Sequence, residues 1–131
     1  MDDSDKPVKG TILIVTPCFK SVAVLGETLR GAGYRIEVIS SHTTEFFATP
    51  SDTQIVLLIA SYSEQRIGDV CLAIRRAMPT LSILVLGPDV EWMKLNLFAF
   101  GADSYMVTPF DQMELLARIK SLIRRSQRSL P

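Results

Sequence analysis

The chain has no apolar run approaching the roughly 20 residues that span a bilayer, and its opening, MDDSDKP, is acidic and polar, the opposite of a secretory leader. Cysteine is scarce. Cys18 and Cys71 show neither a metal-binding spacing nor a disulfide framework. The single histidine, His42, has no ligand partner at metal spacing, so it reads as a surface polar residue and no metal centre is expected. Neither sign of charge is in excess, 14 basic residues standing against 14 acidic ones, so no global field draws the chain to nucleic acid or to a membrane surface. Together these absences predict a soluble protein of a reduced compartment, the cytoplasm.

What is present suffices for one domain with a substantial core: 131 residues, 47% of them hydrophobic and 21% charged. The domain is placed at residues 9–126, with a disordered tail over 1–8 and a tail or the start of a linker over 127–131. Thr11–Val15 (TILIV) and Gln54–Ala60 (QIVLLIA) are near-continuous apolar runs of strand length, as strands buried on both faces require. Tyr34–Ile39 alternates as an edge strand does, and Leu81–Leu86 and Tyr105–Val107 complete the set. Helices are expected over Ser21–Arg30, ended by Gly31 and Gly33, and briefly over Thr43–Ala48. Two more are expected, over Val70–Met78, with Cys71 and Ile74 inward and Arg75 and Arg76 outward, and over Trp92–Phe100. The last helix is the best signalled. Asp111 and Glu114 make a capping box, Phe110 and Leu115 a hydrophobic staple, and Leu115, Leu116, Ile119, Leu122 and Ile123 recur at helical spacing. Strand–helix units repeating in this way imply an α/β fold, a flavodoxin-like five-stranded parallel sheet of order 2-1-3-4-5 with helices on both faces.

The stretch Gly101–Arg125, GADSYMVTPFDQMELLARIKSLIRR, resembles the C-terminal end of a response-regulator receiver domain, in the branch of transcription factors that carries a winged helix. The family pattern there reads roughly GADDYLVKPF followed by ELLARIRALLRR, and ILIVTP and QIVLLIA extend the resemblance to the first and third strands. In receivers of two-component signalling, two acidic residues after strand one and an aspartate ending strand three hold Mg²⁺. The aspartate accepts a phosphoryl group from a histidine kinase, and a hydroxyl after strand four and a lysine after strand five contact its oxygens. The resemblance puts these positions on Thr16, Pro17, Ile59, Gly87 and Thr108. Isoleucine cannot form an acyl phosphate, and Mg²⁺ needs hard, preferably anionic oxygens. The resemblance with these departures implies an atypical pseudo-receiver: not an enzyme, without metal or cofactor, and independent of phosphorylation. Asp89 and Glu64 read as solvated loop charges, and Cys18, with Lys20 its one nearby cation, as an idle thiol. Pro17 removes an amide donor from the loop where a flavin would need one.

With the phosphorylation positions degenerate, the face built by helix four, strand five and helix five becomes the candidate site. In the winged-helix branch this face makes a two-fold dimer through charged pairs around a small apolar patch. The resemblance places Lys94, Asp103, Glu114, Arg118, Lys120 and Arg125 there, and Tyr105 at the aromatic whose rotamer reports phosphorylation. Trp92, Met93, Leu95, Leu97, Phe98 and Phe100 point nearly all round helix four. Leu95 and Phe98 match core positions, leaving Trp92, Leu97 and Phe100 as more than one core stripe requires. They form either a widened core stripe or an exposed patch of the kind that marks a protein interface, and the second reading is carried forward. The expected function is a protein–protein interaction and signalling module, acting as a homodimer or by docking a partner. The alternative is the regulatory half of a winged-helix transcription factor, with DNA contacted through a domain outside this chain. Arg124, Arg125 and Arg128 read as a solvated helix end rather than a nucleic-acid site. An enzyme or cofactor binder on the same frame ranks last.

Overall fold

Alternate residues of a strand point to opposite faces, so a run apolar at every position is stable only between two layers. The computed structural model, which describes residues 9–42, 52–61 and 66–128, places the apolar runs in that way. Strands β1 (Thr11–Thr16), β2 (Arg35–Ser40), β3 (Thr53–Ile59), β4 (Ser82–Gly87) and β5 (Ser104–Val107) form one sheet, all parallel, in the order β2-β1-β3-β4-β5. Helices α1 (Ala23–Gly31), α2 (Ile67–Ala77), α3 (Glu91–Ala99) and α4 (Gln112–Arg128) alternate with them. Leu13, Val15, Val56 and Val85 face Cys71 and Ile74 of α2 and Met93 and Leu97 of α3. Ile12, Ile14, Leu57 and Leu84 face Leu25 and Leu29 of α1 and Leu115 and Ile119 of α4. Every residue of β1 and β4 is buried, whereas edge strand β2 alternates, with Arg35 and Glu37 exposed. The flavodoxin-like expectation is met.

Several boundaries differ from expectation. A single 3-10 turn over Phe19–Val22 precedes α1. Helix α2 begins at Ile67 rather than Val70, although Gly68 is a poor helix former; the Phe100 ring lies where a Gly68 side chain would, 2.9 Å from an ideal Cβ. Of the glycines expected to end α1, Gly33 takes the left-handed role, at φ +101°, and Gly31 stays helical. The Gly33 amide donates to Arg30 O and the Tyr34 amide to Leu29 O, a Schellman ending. Helix α3 ends the same way at Gly101 (φ +111°), with Ala102 N donating to Leu97 O. Asp111 Oδ2 accepts from Glu114 N at 3.0 Å and so caps α4, while Glu114 turns to Arg118 instead of closing the other half of the box. The expected helix over Thr43–Ala48 and tail over 1–8 lie outside the described residues, as do Glu64 and positions 129–131. The expected helices four and five are therefore α3 and α4. No helix among the described residues is long and apolar enough to cross a membrane.

Two charged residues with no expected structural role join elements of the fold. Arg75, assigned to the outer face of its helix, lies over the Gly101 turn and donates to Gly101 O (2.8 Å), Leu81 O (2.7 Å) and Asp103 Oδ2 (2.6 Å). Asp103, expected at an interface, accepts from the Ile83 amide at 2.8 Å with the same oxygen, and its own amide donates to Ile83 O. The pair joins β4 to the entry of β5 just before the ladder begins at Leu84–Ser104. Sequence spacing hides it, because the partners lie 28 residues apart. Asp103→Ala should lower the unfolding free energy by about 1–3 kcal/mol in urea titration, because it leaves the buried Ile83 amide unsatisfied and removes the carboxylate partner of Arg75, which keeps its backbone acceptors. Glu114→Ala, which breaks an exposed i,i+4 pair with Arg118, should cost about 0.5 kcal/mol or less.

Candidate functional site

The parallel topology gathers the carboxyl ends of β1, β3, β4 and β5 along one edge, and all five positions singled out from the sequence end there. Thr16 closes β1, and its hydroxyl serves its own loop, accepting from Cys18 N (3.2 Å) and donating to Cys18 O (3.1 Å). Pro17 follows. Ile59 ends β3 and leans toward the α1–α4 side of the sheet. Gly87 ends β4, and Thr108 follows β5, giving both its amide (2.8 Å) and its hydroxyl (3.3 Å) to Gly87 O. The edge carries no carboxylate among these positions. Ile59, Pro17 and Gly87 have no side-chain oxygen, a donor set that does not fit Mg²⁺. No group of three His, Cys, Asp or Glu side chains that could hold a metal exists among the described residues. Asp89, exposed beyond β4, is paired with Lys94 at 2.6 Å.

Gly87 matters for what it leaves room for. Tyr105 crosses toward it from β5, its hydroxyl donating to Pro88 O at 2.7 Å and lying 3.6 Å from Met93 Sδ. A Cβ on Gly87 would sit 2.6 Å from that hydroxyl and 3.0 Å from Ala60 Cβ. Tyr105, expected to present itself at an interface, is therefore half-buried and turned inward, held by packing over a glycine.

Helix α3 corrects the expected phase. Met93 and Leu97, one turn apart, are fully buried, so Leu97 is core and not interface, while Leu95 and Phe98 are 62% and 47% exposed. The near-continuous apolar sequence gave no contrast from which to read the inward stripe; the Schellman turn at Gly101 and the sheet contact at Met93 set it. Trp92, 57% exposed, and Phe100 line a shallow groove against Ile67, Gly68 and Asp69 of α2. At 100° per residue Leu95 and Phe98 project away from that groove. The exposed apolar surface of α3 thus has two sides, one against α2 and one turned away from it.

Of the charges assigned to the interface, Lys94 pairs with Asp89, Asp103 with Arg75, and Arg118 with Glu114. The Asp89 hydrogen bond and charge hold the Lys94 ammonium pKa above its usual value. Arg118 also reaches Ser104 Oγ (3.1 Å) and Tyr105 O (3.4 Å), tying α4 to β5. Lys120 and Arg125 are exposed and form no ion pair with a described residue. Cys18 is exposed and Cys71 buried, where desolvation pushes the Cys71 thiol up to about 11. His42 is exposed beyond β2.

No family model matches the chain. The response regulator ArlR of Staphylococcus aureus is 39% identical over 57 residues, 44% of this chain and 26% of that protein. The chain thus spans about a quarter of the length of the curated relatives it matches. A protein assigned as a response regulator from Chloroflexus aurantiacus superposes with a TM-score of 0.74 at 28% identity, over 92% of this chain and all of that one. The signal receiver domain of a histidine kinase from Syntrophus aciditrophicus gives 0.76 at 18% identity, over 92% and 95%. The fold is that of a response-regulator receiver domain.

Three outcomes follow from this geometry. Gly87→Ala should destabilise the receiver fold by about 1–3 kcal/mol through overpacking and move the Tyr105 ring resonances to solvent-exposed positions. Leu97→Ala should cost about 2–5 kcal/mol, whereas Leu95→Glu should stay within about 0.5 kcal/mol of wild type; a reversed order in chemical denaturation would refute the assigned phase of α3. At pH 8 a thiol reagent should modify Cys18 rapidly and Cys71 only on unfolding.

Proposed function

We propose that this receiver-type domain signals without phosphorylation and acts by docking a partner protein on the surface formed by the outward side of α3 with β5 and α4. The observation that carries the reading is Ile59 at the end of β3, where covalent phosphoryl transfer would need a carboxylate, with no oxygen-bearing replacement at Pro17 or Gly87. Tyr105 supports it: its inward position is fixed by Pro88 O and the space over Gly87, without a phosphoryl group to draw it in.

A partner of different sequence is favoured over a second copy. A two-fold contact sets one patch against itself. With Lys94, Asp103, Glu114 and Arg118 paired within the chain, the interface charges singled out from the sequence that remain for an outside contact, Lys120 and Arg125, are both basic and have no acidic counterpart in that set for a self-complementary pairing. A patch with apolar Leu95 and Phe98, exposed Glu91 one turn before Leu95 and basic Lys120 and Arg125 on α4 suits a partner with an apolar centre and charges of both signs at its rim. A second reading, the regulatory part of a longer transcription factor, draws on the ARIKSLIRR resemblance and on relatives about four times as long as the matched segment; it predicts a winged-helix domain encoded after Pro131.

Incubation with acetyl phosphate and Mg²⁺ should leave the intact mass unchanged, and a stoichiometric phosphoryl adduct would sink phosphorylation independence. Light scattering across a wide concentration range should give a monomer for wild type and for Lys94→Glu alike. A dimer that Lys94→Glu breaks would instead assign the face to a second copy.

A further inference from the structure

Between α1 and the start of α4, beside the carboxyl edge of the sheet, lies a cavity of about 270 Å³ that the reading above does not use. Val24, Leu25, Ile59, Leu86 and Phe110 give it apolar walls, and Thr28, Thr108 and Gln112 are its polar groups. Leu25 and Leu86 are buried, while Val24, 66% exposed, and Gln112 stand at the rim. Among the described residues, none that lines it is ionisable. We propose that this cavity binds a small, uncharged, largely apolar molecule that carries one hydrogen-bond donor.

Three features select that chemistry. An aliphatic cavity of about 150 Å³ already admits benzene, and drug-sized sites begin near about 300 Å³, so this volume suits a ligand of one or two fused rings. With no charged group among the described walls, an ion entering there would leave water without a counter-charge from them, which disfavours charged ligands. The hydroxyls of Thr28 and Thr108 donate to Val24 O (3.1 Å) and Gly87 O (3.3 Å), so their protons are engaged and their oxygens remain as acceptors. A ligand N–H or O–H completes them.

Ile59 makes the cavity possible. It supplies an apolar wall at the end of β3, and an ionised group there would place a charge in the site. The proposal stands apart from phosphorylation independence, since a phosphoryl adduct elsewhere on the chain would leave the binding result unchanged.

Indole serves as probe, with methyl NMR of Leu25, Ile59 and Leu86 as readout. Wild type should show saturable shifts at these methyls. N-methylindole, which lacks the donor, and the charged analogues tryptamine and indole-3-acetate should bind at least about tenfold more weakly. Val24→Trp, at an exposed helix position that leaves folding intact, should close the mouth and abolish the shifts. Ile59→Asp should lose indole and gain tryptamine. Absence of saturable shifts in wild type, shifts that survive Val24→Trp, or equal binding of the charged analogues would each overturn the proposal. Self-association abolished by Val24→Trp, with no indole binding, would overturn it too and give the mouth to a protein contact.

Discussion

Burial of the central strands on both faces is the constraint from which the remaining structure follows. Six consecutive residues of β1 and six of β4 are out of water, so their backbone hydrogen bonds must close within the sheet and their side chains must find apolar partners on both sides. A sheet built this way has no room for chemistry along its length. Polar and variable residues are left to the carboxyl edge, where chain ends, turns and helix starts converge. Thr16, Pro17, Ile59, Gly87 and Thr108 differ from the receiver pattern without disturbing the layers beneath them.

At that edge, the side chains are engaged with one another and with nearby backbone. The Thr16 and Thr108 hydroxyls are absorbed by neighbouring backbone, Gly87 accommodates the Tyr105 hydroxyl, and Ile59 turns the end of β3 into an apolar wall. These changes are mutually consistent. A side chain on Gly87 would collide with the inward tyrosine. Half-satisfied polar clusters are worse than apolar packing, and the five positions here leave none behind.

The strands, their order and the Asp111 cap of α4 were legible because each rests on local periodicity or on fixed offsets: TILIV and QIVLLIA as strands buried on both faces, Asp111 before its helix. The phase of α3 was not legible, because Trp92, Met93, Leu95, Leu97, Phe98 and Phe100 give no polar contrast, and the inward pair is chosen by the sheet. Arg75 and Asp103 looked like surface charges, since nothing local marks a clamp closed across 28 residues. The edge positions were found by the match to the receiver pattern, but the inward Tyr105 and the cavity beside Ile59 depend on how α1, β5 and α4 meet. No spacing encodes that distance.

The far end of α4 is fastened as firmly as its start. Ser82, the first residue of β4, donates its hydroxyl to Leu122 O at 3.3 Å and lies 2.7 Å from Ser126 Oγ, while Leu122 and Ile123 are buried against the sheet. The helix is therefore a stiff lever whose orientation is dictated by the sheet for nearly its whole length, rather than a tether. Anything joined beyond it would inherit that orientation, and a small tilt of α4 at the Phe110 end would be delivered, enlarged by the helix length, to whatever the other end carries.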